Sequence, residues 1–407
     1  MSRRLALSVA VMLLWPAALW AAESYTAPVI SVPQVTAAPV VDGQVQPAEW
    51  SHAALLPPLA VVGSGGLAPL ATEAFVQYDA TNLYLGVICH DPQPARILKT
   101  VTERDGPVGQ EDAVELFIDT VGDRQHTAHL AVNAAGTRFD AWDQDASQDF
   151  RWTAAAALRE DGWSLEIALP FAGGVGPALG DTWLINLGRN APAAAERSSW
   201  APVERDFGEL ARLGTLVFAG STVRVRLGTL GDLWLGRNLA QVELSPLGSL
   251  ATPLAVKLNV RAAAPGPSDA FFRSQKVQIG TQPQTVSVAW TMPADGKNTV
   301  LMSLTDAKGQ ALWRSPTYTV EMPVVAPILR EAEAALSQAL MAWSRLPEGE
   351  EKAATRAQLE ETLTAWNTLV GKLGQRPSMT PEQYASLQVE AAVLRAAALA
   401  LATPPAS

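Results

Sequence analysis

The sequence predicts a mainly β protein with a helical segment at its C-terminal end. From about residue 32 to residue 322, apolar residues come in short β-branched and aromatic runs separated by turn-forming Gly, Pro, Asn and Asp. Beyond Pro327 the composition changes to Ala, Leu, Glu, Gln and Arg, and apolar residues recur at helical spacing. A chain of 407 residues exceeds one ordinary hydrophobic core, so we expect several domains in this order.

The N-terminus has the three parts of a secretory signal peptide. Arg3 and Arg4 form the charged start, residues 5–14 are apolar, and residues 17–22 are mostly small. The apolar stretch is well short of the roughly 20 residues that a membrane-spanning helix needs. We therefore expect residues 1–22 to be removed on export, which leaves a secreted or periplasmic protein.

Composition argues against several classes of partner. The formal net charge is −10 and no basic cluster occurs, so no nucleic-acid partner is expected. No segment after the signal peptide is read as apolar for long enough to span a membrane. Cys89 is the only cysteine, so the chain cannot form an internal disulfide, and its apolar neighbours predict a buried thiol.

The first β region covers residues 32–219. Its first two strands are joined by Ala80-Thr81-Asn82, a gap of hairpin size, and Gly-containing turns separate several of the others. Many short strands at close spacing predict a sandwich or a barrel. The predicted strands are 73–79, 83–91, 112–119, 128–133, 138–142, 152–158, 163–169 and 182–189.

The second β region covers residues 220–322. At about 100 residues it has the size of an immunoglobulin-like sandwich. Trp290 and Trp313 are expected in its core. Its predicted strands are 254–260, 275–279, 285–291, 299–306 and 317–320.

The C-terminal region, residues 327–402, predicts three helices and a disordered tail at 403–407. Breaks at 347–349 and 371–381 separate the helices, and Thr380 followed by Pro381 is typical of an N-cap with proline at the first helical position. Short breaks favour antiparallel packing as a bundle or a coiled coil. The apolar stripe comprises Leu329, Ala332, Leu336, Leu340, Trp343, Leu359, Leu363, Trp366, Leu369, Leu387, Ala391, Leu394 and Ala398.

Motifs along the first β region match one pattern in order and spacing. They comprise Pro39-Val40-Val41-Asp42-Gly43 with Glu49-Trp50, the segment 78–85 leading to His90-Asp91-Pro92, and the segments 112–119, 132–136, 162–171, 183–189, 199–200 and 213–218. Together they resemble the family 9 carbohydrate-binding modules over a little under half of the chain. The resemblance implies an antiparallel β-sandwich that holds the end of a sugar chain between two aromatic side chains, with polar side chains on its hydroxyls.

The resemblance implies a sugar-binding role for Glu115. Period-two alternation places Glu115 on one face of its strand with Phe117 and Asp119, opposite Val114 and Leu116. The alternative is a charged residue on a solvated sheet face.

Other positions depart from the family pattern. Gly109 stands where the pattern has one clamp tryptophan, and Ala131 stands where it has a binding arginine. The second clamp position falls on Phe207, with Trp200 as a substitute, and Arg189 is the remaining polar candidate. These departures leave three alternatives open: a different ligand, a spacer without a ligand, or a different aromatic platform built from Trp142, Trp152 or Trp200.

An acidic loop is the candidate for a metal ion. Asp140, Asp143 and Asp145, with Asp149 close by, supply the carboxylate oxygens that calcium prefers, although a solvated acidic turn has the same composition. Calcium is therefore kept as a candidate ion and no other cofactor is assigned. A zinc site at His126 and His129, or a haem site at His90, lacks further ligands of matching spacing.

Catalysis finds little support in the sequence. There is no Gly-x-Ser-x-Gly nucleophile motif, and a glycosidase pair of Glu115 with Asp119 or Glu166 would draw on residues of the sandwich motifs.

Two hypotheses for the function follow from the sequence. The first is an exported carbohydrate-binding accessory protein acting in polysaccharide catabolism. The second is an envelope scaffolding protein whose sandwich binds protein and whose helices mediate assembly.

Overall fold

A computed structural model describes residues 25–233, 236–265, 270–294, 296–322, 326–373 and 380–402. The predicted signal peptide at 1–22 and the predicted tail at 403–407 lie outside the described residues. Within them, the chain forms two layered β units followed by three helices, which confirms the predicted fold class.

The first sandwich packs a sheet of strand order β1-β13-β11-β6-β7-β8 against a sheet of order β2-β4-β5-β10-β9. The short strands β3 and β12 extend the first sheet beside β11. The strands are β1 (Val29–Pro33), β2 (Ala54–Leu55), β3 (Ala60–Val61), β4 (Thr72–Tyr78), β5 (Asn82–His90), β6 (Ala113–Asp119), β7 (Ala128–Asn133), β8 (Arg138–Trp142), β9 (Thr153–Arg159), β10 (Gly162–Pro170), β11 (Thr182–Ala191), β12 (Glu196–Ser199) and β13 (Gly214–Gly220).

All eight strands predicted for the first region are present, with ends within two residues of the predicted ones. Their inward-facing side chains form the core between the two sheets, and Cys89 is buried there. Burial raises the pKa of the Cys89 thiol to about 11, consistent with its predicted role as a small apolar side chain.

The second sandwich packs the sheet β14-β15-β18 against the strands β17-β16-β19-β20, with β21 beside β19. Trp290 and Trp313 are buried in its core, as predicted. Its strands are β14 (Thr222–Thr229), β15 (Gly236–Leu247), β16 (Leu254–Ala263), β17 (Ala270–Ile279), β18 (Gln284–Met292), β19 (Gly296–Thr305), β20 (Ala311–Arg314) and β21 (Tyr318–Met322).

Strand β1 joins the two sandwiches into one sheet. It pairs in parallel with β13, with Ile30 opposite Leu216, and antiparallel with β20, with Ile30 opposite Trp313. All five residues of β1 are buried. The predicted boundary at residue 220 therefore separates two units that share a sheet and a continuous hydrophobic core.

Side chains of the second sandwich also fix loops of the first. The Arg224 guanidinium donates to the backbone oxygens of Trp50 and Ala53 at 2.7 Å and of Ser51 at 2.9 Å. The Tyr318 hydroxyl donates to the backbone oxygen of Pro58 at 2.6 Å. These bonds satisfy backbone acceptors that β pairing leaves unused.

The C-terminal region forms α1 (Ala326–Arg345), α2 (Glu350–Leu373) and α3 (Pro381–Ala402), as predicted. Thr380 caps α3 as expected, because the Gln383 N–H donates to the Thr380 hydroxyl and the Thr380 N–H donates to the Gln383 side chain. Most of the predicted apolar stripe is buried or half-buried between the helices, but Leu340 is 39% exposed because it faces away from the other two helices.

Helix α3 corrects one expectation from the sequence. Its residues Glu382–Ala402 are long and apolar enough to cross a membrane by length and composition. α3 packs on α1 and α2 through Leu387, Ala391 and Leu394, and 22% of the apolar window is buried. Its charged residues also pair within the bundle: Glu390 with Lys372, and Arg395 with Glu331.

A buried carboxylate organises the start of the first sandwich. Glu166 accepts hydrogen bonds from the backbone N–H groups of Asp42 and Gly43 at 3.0 and 3.1 Å and from the Trp50 indole at 2.9 Å. Burial raises the pKa of Glu166, and these hydrogen bonds lower it by less. The motif residues Asp42, Gly43 and Trp50 therefore act as structural partners of Glu166.

Gly43→Ala should destabilise the protein more than the matched control Gly122→Ala. Both glycines have left-handed backbones, with φ of 87° and 82°, which costs an alanine about 1–2 kcal/mol. A Cβ at Gly43 would also lie 2.6 Å from the backbone carbon of Ala156, whereas a Cβ at Gly122 meets nothing within 4 Å. Chemical denaturation should show an extra loss of about 1–3 kcal/mol for Gly43→Ala. Equal losses of stability in the two variants would contradict the close packing of Gly43 against Ala156.

Candidate functional site

The candidate site lies on the outer face of the larger sheet of the first sandwich. On β6, Val114, Leu116 and Ile118 point into the core, and Glu115 points to the outer face, as the alternation predicts. Glu115 lies opposite Gly188 of β11 and Ala131 of β7, which carry little or no side chain. The carboxylate therefore sits in a depression of the sheet.

Two neighbouring strands hold the Glu115 carboxylate. The Asn190 side-chain amide donates to Oε1 at 2.5 Å, and Nε2 of His129 lies 2.7 Å from Oε2. With the proton on Nε2, His129 is the second donor. Glu115 is thus fixed in one orientation before any ligand arrives.

A cavity of about 350 Å³ opens over Glu115. This volume lies at the lower end of the range for small-molecule sites, about 300–1,000 Å³. The wall combines a carboxylate, an amide and a guanidinium with small apolar side chains. It includes Gly109, Glu115, Asn190, Pro192, Glu196 and Arg197.

Arg197 forms the outer polar wall of this cavity. Its Nε donates to the Asn190 side-chain oxygen at 3.2 Å, and one terminal nitrogen donates to the backbone oxygen of Arg205 at 3.0 Å. The guanidinium lies over the ring of Phe207, 4.7 Å from its centre. Among the described residues, no hydrogen-bond partner occupies the second terminal nitrogen of Arg197.

Glu196 borders the cavity, but alternation along β12 turns its carboxyl group to the side of Ser198 and the buried Arg189. It is buried, and one oxygen accepts from the Leu70 N–H at 3.1 Å. Burial raises its pKa, while the Leu70 hydrogen bond and the positive charge of Arg189 lower it by less. Glu196 was not among the candidates from the sequence, because its strand β12 is too short to show periodicity.

Gly109 leaves the space over Glu115 open. A Cβ at this position would lie 3.0 Å from Oε1 of Glu115, which is a tight contact. The position where the family pattern has a clamp tryptophan therefore provides volume for a ligand here, and no aromatic ring.

Half-buried rings continue the outer face beside the cavity. Phe117 and His129 stack with ring centres 4.1 Å apart, and Phe139 lies 5.1 Å from His129. Period-two alternation on β6 and β7 places Phe117 and His129 on this face, and that pattern could have identified them. From the sequence, His129 was a candidate only for a zinc ligand.

The two predicted aromatic contacts are buried and offer no surface to a ligand. Phe207 packs over Gly188, where a Cβ would lie 2.3 Å from its ring, and Arg197 covers its other face. Trp200 lies in the core against Gly214. This burial corrects the prediction of a clamp at Phe207 or Trp200. Each ring occupies the space next to a glycine that has no side chain, Gly188 for Phe207 and Gly214 for Trp200.

Arg189 is a structural residue between the two sheets. It is fully buried and donates to the backbone oxygens of Ala71 at 3.0 Å and His90 at 2.7 Å and to the Thr72 hydroxyl at 3.1 Å. Its position opposite Val114 places it on the inner face of β11. The predicted role of Arg189 in ligand contact is therefore corrected.

The other aromatic candidates also lie away from Glu115. Trp152 is buried in the core, with the Arg138 guanidinium 5.5 Å from its ring centre. Trp142 ends β8 at the edge of the sheet and stacks with His126 at 6.2 Å. Neither ring forms a platform at the cavity.

The acidic loop does not gather its carboxylates into one site. Asp140 is buried and bound by Arg104 and the Phe150 N–H. Asp143 pairs with His126, and Asp145 accepts from the Ser147 N–H. No group of three or more His, Cys, Asp or Glu side chains in the described part of the chain is arranged to hold a metal ion. The predicted calcium candidates Asp140, Asp143 and Asp145 thus have separate partners.

Glu111 anchors the loop that carries Gly109. Its carboxylate accepts from the N–H and hydroxyl of Thr100 at 2.6 Å, from the Val101 N–H at 3.1 Å and from the Asn133 amide at 2.8 Å. Burial raises the pKa of Glu111, but the hydrogen bonds from Thr100, Asn133 and Val101 outweigh burial and lower it overall. Sequence reasoning missed this residue because its partners lie in a loop and in another strand.

Glu111→Gln should weaken the fold at neutral pH and reduce the loss of stability in acid. Because the pKa of Glu111 is lower in the native than in the unfolded state, the ionised carboxylate stabilises the native state fully when the pH is above the unfolded-state pKa, about 4.3. This contribution disappears as the pH falls through the native-state pKa. We expect the wild type to be more stable by about 1–3 kcal/mol at neutral pH. Urea denaturation across this pH range should show the two proteins converging in acid. A difference in unfolding free energy between the two proteins that does not change with pH would contradict the lowered pKa of Glu111.

Comparisons with known proteins give likeness only to solved structures. No protein-family model matches the chain, and no curated protein matches it. The chain is similar to a family 9 carbohydrate-binding module from Caldicellulosiruptor kristjanssonii in complex with cellotriose, at 19% identity and TM-score 0.38, over 47% of this chain and 94% of that one. The glucose complex of a family 9 module from the same organism gives 19% identity and TM-score 0.37, over 47% and 96%. A DUF4785 family protein from Legionella pneumophila gives 12% identity and TM-score 0.18, over 63% and 56%.

Proposed function

We propose that this protein is an exported carbohydrate-binding protein and that the cavity over Glu115 holds one pyranose ring. The observation that carries the proposal is the preorganised set of Glu115, Asn190 and Arg197 around a cavity of about 350 Å³. Export, to the periplasm or the medium, is proposed from the signal-peptide pattern at residues 1–22.

The polar groups of the cavity suit the hydroxyls of a sugar. Each hydroxyl both donates and accepts, so a site for neighbouring hydroxyls needs both functions close together. Glu115 accepts, Arg197 donates, and charged partners make these hydrogen bonds stronger than neutral ones. Because His129 and Asn190 already hold the carboxylate, little side-chain entropy is lost on binding.

Small apolar side chains complete the cavity. Ala191, Pro192 and Ala195 line the wall and can contact the C–H groups of a ring. They offer less contact area than an aromatic clamp, so the proposed specificity comes mainly from hydrogen bonds. We propose that binding serves polysaccharide catabolism, beside a hydrolase that supplies the chemistry.

Substitutions at the cavity should weaken sugar binding without unfolding the protein. Glucose and cellotriose are suitable first probes, with one and three pyranose rings. We expect Glu115→Gln and Arg197→Gln each to reduce affinity by about ten- to a hundredfold, since each removes a charged hydrogen-bonding partner worth about 1.5–3 kcal/mol. Isothermal titration calorimetry measures the effect, with the exposed residue Glu160 changed to Gln as the control.

Closing the cavity provides an independent check. Gly109→Val places methyl groups against Oε1 of Glu115 and should abolish binding, while circular dichroism checks that the β fold is retained. If both probes and a broad glycan array show no binding to the wild type, or if all three cavity variants bind unchanged, the proposed site is rejected.

A scaffolding role is the second candidate, and exposed apolar residues on the helices favour it. Val389 and Val393 are one turn apart on α3 and are 64% and 62% exposed, and Met341 on α1 is 56% exposed. Residues four apart share one helix face, so the two valines form a stripe facing water. Such a stripe is typical of contact with another helix.

If the helices mediate assembly, the wild type should be a dimer or larger in multi-angle light scattering. Val389→Glu combined with Val393→Glu should then give a monomer, because two charges would be buried in the interface. The matched control changes Val121 and Val175, which are 78% and 76% exposed in loops of the first sandwich, to Glu. A monomeric wild type would rule out assembly through these helices.

A further inference from the structure

A second cavity, of about 580 Å³, lies between the two sandwiches. We call it the inter-sandwich cleft. Its first wall comes from the N-terminal segment and two loops of the first sandwich, and its second wall comes from β16, β19 and β21. The residues that matter here are Tyr25, Ser64 and Arg212 on the first wall and Arg261, Lys297 and Thr319 on the second.

Hydrogen bonds fix the two walls relative to each other. The Thr319 N–H donates to the backbone oxygen of Gly65 on the other wall at 2.8 Å, and within the first wall the Gly63 N–H donates to the backbone oxygen of Val203 at 3.0 Å. The shared strand β1 joins the same two units. The cleft is therefore preformed, which lowers the entropic cost of binding.

Arg212 is already neutralised on the first wall. Its guanidinium lies over the ring of Tyr25 at 5.2 Å and donates to the backbone oxygen of Pro202 at 3.1 Å. It also pairs with Glu204 and with Glu209. Arg212 contributes structure to the wall, and its charge is largely balanced.

Arg261 and Lys297 are the two cations of the cleft for which the described part of the chain supplies no ion-pair partner. Both are exposed and lie on adjacent strands. Glu321 lies opposite Lys297 in the strand register without pairing with it, and Glu204 on the facing wall is bound to Arg212. A concave surface with two cations that lack ion-pair partners among the described residues favours an anionic ligand, in a chain whose formal charge is −10.

Hydroxyl groups surround these cations. Thr299 and Thr319 face each other across β19 and β21, and Thr317 and Ser64 also line the cleft. They can pair with the hydroxyls of a ligand, while the Arg261 guanidinium fits a carboxylate through two parallel hydrogen bonds. At about 580 Å³, the cleft accommodates a larger ligand than the cavity of about 350 Å³ over Glu115.

We propose that the inter-sandwich cleft is a second binding site and that it takes a carboxylated saccharide, a uronic-acid residue, through Arg261 and Lys297. The site is separate from the cavity over Glu115 and uses none of its residues. It would let the protein hold an acidic sugar independently of the neutral ring proposed for the first site.

The test is calorimetric titration of the full chain with trigalacturonate, cellotriose and inorganic sulfate. The double variant Arg261→Gln/Lys297→Gln should bind trigalacturonate at least about tenfold more weakly than wild type, since two charged partners are lost. Added salt should weaken wild-type binding to trigalacturonate, because exposed charges are screened. The control Lys276→Gln/Lys308→Gln removes the same charge outside the cleft and should bind as the wild type does.

Each remaining outcome has one meaning. Undetectable trigalacturonate binding, unchanged affinity in the cleft variant, or equal loss in both double variants overturns the proposal. Sulfate binding as tight as trigalacturonate overturns the saccharide assignment. Loss of trigalacturonate binding in Glu115→Gln places the acidic sugar in the first cavity, which removes the second site and leaves the proposed function intact. Trigalacturonate binding that needs Arg261 and Lys297, without any binding of neutral glycans, supports the cleft alone.

Discussion

The pairing of strand β1 on both of its edges is the interaction on which the rest of the structure depends. Unpaired strand edges leave backbone donors and acceptors without partners. Here β1 pairs with β13 in parallel and with β20 in antiparallel orientation, so both of its edges are hydrogen-bonded and one sheet runs through both sandwiches. The order β1-β13-β11-β6 then places Glu115 two strands from β13, on the outer face. The same junction brings β16, β19 and β21 to the wall of the inter-sandwich cleft.

The residues that carry the family resemblance mostly hold the fold, and the candidate site combines one of them, Glu115, with residues outside the motifs. Glu166 binds the segment around Gly43 and Trp50, and Asp79 closes the β4–β5 turn through the N–H groups of Thr81 and Asn82. Burial and the hydrogen bond to Asp79 raise the pKa of Tyr84 to about 12. By contrast, the cavity depends on Gly109, Asn190 and Arg197, which lie outside or at the ends of strands. A sandwich can keep its frame while its ligand site changes.

Patterns between neighbouring residues in the sequence predicted the features that depend on those residues alone, namely strand faces and helix positions. Strand periodicity placed Glu115 on the outer face, and helical spacing with the Thr380 cap placed the three helices. Burial of Trp200, Phe207 and Arg189 could not be predicted, because it depends on how the 200–212 loop packs on Gly188 and Gly214 and how the two sheets meet. The partners of β1 also lie far along the chain, and no short-range pattern specifies them.

Binding of a pyranose ring in the cavity over Glu115 can be observed in a crystal structure of the full chain with a saturating concentration of cellotriose, or of a sugar found by glycan screening. We expect electron density for one ring within hydrogen-bonding distance of Glu115, Asn190 and Arg197. Density for the sugar at another surface, with no sugar in this cavity, would contradict binding over Glu115.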